Sequence, residues 1–134
     1  SPKLYFVDTG LVSYLCGLST QAPFEEGALA GPRFENWFIS ELKRRESHAG
    51  RSTELYWFRE NNGDEIDLIV DRRLNQELIE IKAAHRLKPG FGSVLAKYTR
   101  GNRRGTICYR GKNQSLPGGL RAVNAAEFLL SETG

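Results

Sequence analysis

Two neighbouring segments in the middle of the chain alternate polar and apolar residues, and together they predict a β-hairpin. The segments are residues 63–71 and 77–83, and both are rich in the branched side chains that strands favour. Residues 72–75 separate them and are expected to form the loop, so that Asp71 faces Gln76. One face of the hairpin is expected to be apolar and to carry Ile66, Leu68, Val70, Ile79 and Ile81.

The same register places Asp67 opposite Glu80. Directly opposed residues point to the same face with side chains roughly 5 Å apart, and Lys82 shares that face roughly 7 Å further along the strand. Opposed carboxylates repel, so this face is either solvated, with Lys82 neutralising Glu80, or it holds a cation. Carboxylate oxygens suit Mg²⁺ or Mn²⁺, and a nearby ammonium can hold a water or counter charge on a phosphate. The pattern therefore indicates a metal-dependent phosphate site, with an exposed charged strand face as the alternative.

Length and composition predict one compact domain spanning residues 1–134, and the mixture of helices and strands predicted below makes it an α/β domain. Of these residues 40% are hydrophobic and 26% are charged, which is ordinary globular usage. No apolar run is long enough for a transmembrane helix and no leader peptide is evident, so we expect a cytoplasmic protein without a membrane partner. The chain contains no methionine, which suggests a piece of a longer polypeptide. Cys16 and Cys108 lie in apolar surroundings and are expected to be free thiols.

Charge is distributed unevenly along the chain. Residues 1–81 hold nine Lys or Arg against fourteen Asp or Glu, whereas residues 82–134 hold ten against two. A basic segment beside an acidic metal patch is typical of proteins that hold a polyanion along its phosphates, although a solvated basic face is the alternative. The predicted nucleic-acid-binding residues are Lys97, Arg100, Arg103, Arg104, Arg110 and Lys112.

The order of predicted elements is a helix, three strands in an antiparallel meander, a second helix, a strand, and a final strand and helix. The predicted helices are 11–18, 32–47, 93–100 and 125–131, and the predicted strands outside the hairpin are 54–59, 106–110 and 120–123. His48 and His85 are single histidines in polar stretches and are expected to face solvent.

This order of elements, together with the Asp-x12-Glu-Ile-Lys spacing, resembles the PD-(D/E)XK phosphodiesterase superfamily. The resemblance implies a restriction-endonuclease-like core in residues 31–134, preceded by an extension in residues 1–30, and a Mg²⁺- or Mn²⁺-dependent nuclease acting on DNA. Asp67, Glu80 and the backbone carbonyl of Ile81 would bind the metal, with Lys82 beside the attacking water. Glu35 in the first helix would supply a further catalytic carboxylate.

A narrower resemblance covers nearly the whole chain. Residues 3–11, the Phe34-Glu35-Asn36-Trp37 segment and the Trp57-Phe58-Arg59 strand are similar to the uncharacterised C-terminal domain of prokaryotic AAA-type ATPases. The resemblance implies an ATPase domain in the same polypeptide as a partner. No phosphate-binding G-x-x-x-x-G-K motif occurs, so no nucleotide site is assigned to this chain.

Two other functions remain open from the sequence. A nuclease-shaped module that no longer cleaves could bind DNA or a protein and position the ATPase. The domain could also be a dimerisation or toxin-neutralising element, with the aromatic residues of 3–24 as its contact surface, and dimerisation would make the protein a homo-oligomer.

Overall fold

The computed structural model describes the backbone of residues 3–6 and the whole of residues 30–51 and 53–131. The predicted helix at residues 11–18 and Cys16 lie outside these described residues. Cys108 is buried, as predicted, and His48 and His85 are exposed. In the described part of the chain, no helix has both the length and the apolarity required to cross a membrane.

Three helices and seven strands make up the described fold. The helices are α1 (Ala30–His48), α2 (Ser93–Tyr98) and α3 (Ala125–Leu130). The strands are β1 (Lys3–Phe6), β2 (Glu54–Arg59), β3 (Glu65–Asp71), β4 (Gln76–Ile81), β5 (Arg103–Tyr109), β6 (Gln114–Ser115) and β7 (Leu120–Asn124). The predicted helices and strands in this part of the chain are confirmed, with boundaries that shift by one to three residues.

The described strands form one mixed sheet in the order β1-β2-β3-β4-β5-β7-β6. Strands β1 to β4 are antiparallel neighbours, which confirms the predicted meander. Strand β5 is parallel to both β4 and β7, and α2 lies in the connection from β4 to β5. Parallel neighbours need such a crossover because a tight turn can join only antiparallel strands. The predicted α/β class is therefore confirmed.

Buried side chains form two clusters. The first cluster joins α1 and α3 to the sheet through Phe34, Phe38, Leu42, Leu68, Val70, Ile79 and Phe128. The second cluster joins α2 to the sheet through Phe58, Ile66, Ile69, Leu78, Leu95 and Ile107. Since the hairpin contributes to both clusters, neither of its faces is simply a solvated surface.

The predicted apolar face of the hairpin is wrong at one position. Ile66 was expected beside Leu68, but it packs in the second cluster with Phe58 and Ile69. The cause is a register shift between β2 and β3, located between Tyr56 and Phe58, which breaks the strict alternation of faces. The sequence pattern does not reveal this irregularity because each arm alternates regularly when read alone.

Two buried glutamates tie α1 to the sheet. Arg72 links them, with its Nη2 2.9 Å from Glu46 Oε1 and its Nη1 3.7 Å from Glu77 Oε1. Glu77 Oε2 also accepts hydrogen bonds from Thr106 Oγ1 at 2.6 Å and from Arg121 Nη2 at 2.9 Å. A buried carboxylate without partners would be very costly, so these arginines are required by the position of Glu77 in the core.

Candidate functional site

The hairpin of β3 and β4 has the predicted register. Its pairs run from Asp71 opposite Gln76 to Leu68 opposite Ile79, and the regular pairing stops there, one position short of Asp67 and Glu80. Beyond the last regular pair, Asp67 Oδ2 accepts a hydrogen bond from the Ile81 backbone N–H at 2.8 Å. The Asp67 carboxylate therefore lies at the carboxyl end of β4.

Glu80 is held by the segment that leads into α2. Its Oε2 accepts a hydrogen bond from the Gly92 backbone N–H at 2.9 Å. Gly92 has a φ of 82°, and a Cβ at this position would lie 3.1 Å from side-chain atoms of both Ile107 and Leu120. Glycine is therefore needed here, because both the left-handed backbone and the close packing exclude a larger residue.

Lys82 follows β4 and extends the parallel ladder, since its backbone N–H donates to the Cys108 carbonyl at 2.9 Å. Its Nζ lies 5.1 Å from the centre of the Phe91 ring, a distance at which an ammonium is attracted to an aromatic face. Within the described residues, the ion pairs closer than 4.0 Å do not include Lys82. Lys82 and Glu80 therefore do not form the salt bridge that the alternative interpretation would require.

Glu35 is carried by helix α1. Its side chain is half-buried, and its pKa is raised from 4.5 to about 7. Burial is the largest cause and the negative charge of Asp67 is the next, while Lys82 acts in the opposite direction. Glu35 thus lies within electrostatic reach of both Asp67 and Lys82, although 32 positions separate it from Asp67 in the chain.

The two hairpin carboxyls are also perturbed. Burial raises the pKa of Asp67, and the hydrogen bond from Ile81 and the charge of Lys82 partly offset this effect. Burial likewise raises the pKa of Glu80, where the hydrogen bond from Gly92 and the charge of Lys82 act in the opposite direction. The charge of Asp67 raises the pKa of Glu80 further. Asp67 and Lys82 therefore act electrostatically on both Glu35 and Glu80.

The donor set must be compared with the needs of a divalent metal. Among the residues that the structure describes, no group of three or more Asp, Glu, His or Cys side chains is placed to hold a metal ion. A site made of Asp67, Glu80 and the Ile81 carbonyl needs only two carboxylates, and Mg²⁺ commonly completes its shell with water. Burial raises the pKa values of Asp67 and Glu80, so a cation beside them would be favourable. These residues are chemically suited to Mg²⁺ or Mn²⁺.

The six predicted nucleic-acid-binding residues are not grouped in one place. Lys97 Nζ lies 3.0 Å from Asp64 Oδ2, and Arg104 Nη2 lies 3.5 Å from Glu77 Oε1. Arg103 lines a cavity with apolar side chains on the α2 face of the sheet, and Arg100 is exposed before β5. Lys97 and Arg104 are therefore partly neutralised by acids of the fold.

The remaining two, Arg110 and Lys112, line a groove of about 700 Å³ together with His85 and Arg86. The sequence interpretation omitted Arg86, and it expected His85 to face solvent, which the exposed His85 at the groove confirms. Phe91, which lies beside Lys82, was also missed. The signal that could have found these residues is their position directly after Glu80-Ile81-Lys82, in a stretch without acids.

Comparison with known proteins gives one match. The family described as "Domain of unknown function (DUF4143)" matches residues 30–128. The searches of the curated proteins and of the solved structures found no match. The matched region is more than half of the chain and contains Glu35, Asp67, Glu80 and Lys82. The chain therefore belongs to the DUF4143 family of domains of unknown function.

Proposed function

We propose that the domain is a metal-dependent phosphodiesterase that cleaves DNA. One observation carries the proposal: Glu35, Asp67 and Glu80 each have a raised pKa, and each is influenced by the charge of the same lysine, Lys82. Asp67 raises the pKa of both Glu35 and Glu80, and groups whose pKa is perturbed by burial together with a specific charge are candidates for function. The resemblance to PD-(D/E)XK enzymes assigns these same four residues to catalysis.

Each residue has a distinct role in this mechanism. Asp67, Glu80 and the Ile81 carbonyl would hold Mg²⁺ or Mn²⁺, which when bound polarises a phosphate and lowers the pKa of a water molecule. The Lys82 ammonium would donate hydrogen bonds to the attacking water and stabilise negative charge on the phosphate in the transition state. Glu35, with a pKa of about 7, can accept a proton at neutral pH.

The proposal is tested by incubating the chain with Mg²⁺ or Mn²⁺ and with supercoiled, linear duplex and single-stranded DNA. Lys82→Ala is expected to lower the cleavage rate by about 100- to 1,000-fold, as for loss of one donor to a developing charge. Lys88→Ala is the matched control, because Lys88 is an exposed lysine in the segment that follows Lys82. Cleavage that survives Lys82→Ala, or that Lys88→Ala lowers equally, would contradict the assigned mechanism.

A second candidate is a module of the same shape that binds DNA or a protein without cleaving. Two observations favour it. The Asp67 and Glu80 carboxylates each accept a backbone hydrogen bond. In addition, the described residues contain no group of three acids placed to hold a metal ion. Salt-dependent DNA binding without metal-dependent cleavage of any DNA form would support this candidate.

The resemblance to the C-terminal domain of AAA-type ATPases further supports a cytoplasmic protein in which an ATPase domain of the same polypeptide acts with this domain. Expression of the complete polypeptide and measurement of its ATP hydrolysis with and without DNA would test this part of the proposal. Hydrolysis that is unaffected by DNA would argue against coupling between the two activities.

A further inference from the structure

A surface groove of about 700 Å³ lies beyond the carboxyl ends of β4 and β5. Residues 85–87, which follow Lys82 closely, form one wall, and residues 109–112 at the end of β5 form the other. The Arg110 backbone N–H donates to the Ala84 carbonyl at 2.9 Å, which continues the pairing of β4 with β5 past the end of the sheet. The two walls are therefore held side by side on the same extended β4–β5 ladder in which the Lys82 backbone N–H pairs with the Cys108 carbonyl.

The second wall is a braced turn. Tyr109 Oη donates a hydrogen bond to the Lys112 carbonyl at 2.6 Å, and Asn124 Nδ2 donates to the Gly111 carbonyl at 3.0 Å. Gly111 lies so close to the first wall that a Cβ there would be 2.6 Å from the His85 carbonyl oxygen. The backbone that presents the basic side chains is thus fixed before any ligand binds, which lowers the entropy lost on binding.

The groove carries a net positive charge. Arg86, Arg110 and Lys112 line it, and among the described lining residues Glu127 is the one acid. The side chains of Arg86 and Lys112 are exposed, so they can move to meet a ligand. An open basic groove of this kind suits an extended chain of phosphates, because such contacts hold the backbone and do not require an enclosed pocket.

We propose that this groove binds the phosphodiester backbone of the DNA strand whose scissile phosphate lies at Lys82. The inference rests on the proposed function, and it assigns the substrate path to the exposed side chains of Arg86 and Lys112. Lys97 and Arg104, which pair with acids of the fold, are left with a structural role. The groove would hold DNA without reading its sequence, since phosphate contacts carry no base information.

The test compares two double variants that each remove two positive charges from exposed side chains. Arg86→Ala/Lys112→Ala alters the groove, and Lys43→Ala/Arg44→Ala alters the exposed surface of α1. Binding of labelled duplex DNA to the full chain is measured by fluorescence anisotropy in EDTA, so that no cleavage occurs. The measurement is repeated from about 50 to about 200 mM salt, because phosphate contacts make affinity depend steeply on salt.

Each phosphate contact contributes about 0.9 to the slope of log affinity against log salt concentration. The groove variant is therefore expected to lose about 1.8 from the slope and about 60-fold in affinity at about 0.1 M salt, while the α1 variant stays within about twofold of the parent chain. Arg86→Gln/Lys112→Gln, which retains side-chain bulk, is expected to give the same loss and shows that the effect is one of charge.

Equal binding by the groove and α1 variants would overturn the inference. The inference would also be overturned if single-stranded RNA displaced the labelled DNA at a lower concentration than unlabelled DNA does. The groove would then bind RNA in preference to DNA. Failure of the nuclease proposal is seen separately, as the absence of metal-dependent cleavage by the parent chain. The groove inference can fail while that cleavage persists.

Discussion

Glu35→Gln is predicted to stabilise the folded chain at alkaline pH and to leave it nearly unchanged at acidic pH. The pKa of Glu35 is 4.5 in its ordinary environment and about 7 in the fold. Because the folded chain binds this proton more tightly than the unfolded chain, stability is lost as the pH rises from the lower value to the higher. Glutamine has nearly the same shape and cannot ionise, so the variant is spared this loss.

The size of the effect follows from the two pKa values. A tenfold change in proton affinity corresponds to about 1.4 kcal/mol. If the whole rise in the pKa of Glu35 acted on folding, ionised Glu35 would lower the free energy of unfolding by about 3 kcal/mol. Glu35 is half-buried, and solvent screening reduces the expected gain of Glu35→Gln to about 1–2 kcal/mol at about pH 8. At about pH 5 the expected difference is below about 0.5 kcal/mol, because Glu35 is then protonated in the fold.

The assay is urea unfolding of the parent chain and the variant at several pH values between these two. Glu41→Gln is the control, because Glu41 lies on the same helix but pairs with Arg44, whose Nη1 is 2.7 Å from its Oε1. The control is expected to follow the pH dependence of the parent chain. If Glu35→Gln also follows the parent chain at every pH, or is less stable at about pH 8, the reasoning about burial and Asp67 is refuted.

Three other perturbations have defined outcomes. Glu77→Gln should lower the free energy of unfolding, measured in urea, by about 2–4 kcal/mol, because Arg72 and Arg121 lose their buried counter-charge. A loss below about 1 kcal/mol would contradict this reasoning. Gly92→Ala should lower the free energy of unfolding by about 1–2 kcal/mol more than Gly90→Ala in the same assay. Both glycines have a positive φ, but of the two only Gly90 has open space for a Cβ. Equal losses in the two variants would contradict this packing argument. Mn²⁺ should raise the melting temperature of the parent chain by several degrees and leave that of the Asp67→Asn/Glu80→Gln variant unchanged. An equal rise in both proteins would contradict a metal site at these carboxylates.

The local pattern was sufficient for most of the hairpin. Its register, from Asp71 opposite Gln76 to Leu68 opposite Ile79, follows from a four-residue loop and from alternation within each arm, both of which are short-range properties. The displacement of Ile66 to the other face could not be predicted in this way. It depends on how β2 pairs with β3, where the register shifts between Tyr56 and Phe58.

The same division applies to the site. Asp67, Glu80 and Lys82 belong to one hairpin and could be placed together from their spacing. Glu35 was included by resemblance, and its position beside Asp67 depends on the packing of α1 against the sheet through side chains such as Phe34 and Phe38. Its raised pKa is a consequence of burial, which no local sequence pattern reports.

The sequence by itself determined where most strands and helices of the described core lie, although not the short strand β6, which acids and which lysine share the hairpin, and that the second part of the chain is basic. These are properties of residue type and spacing. Only the tertiary structure decided which basic side chains pair with acids of the fold, as Lys97 does with Asp64 and Arg104 with Glu77, and which line the groove at the end of the β4–β5 ladder. The physical reason is that a buried carboxylate must be neutralised by whatever cation the fold brings near it, and that choice is made across strands distant in the sequence.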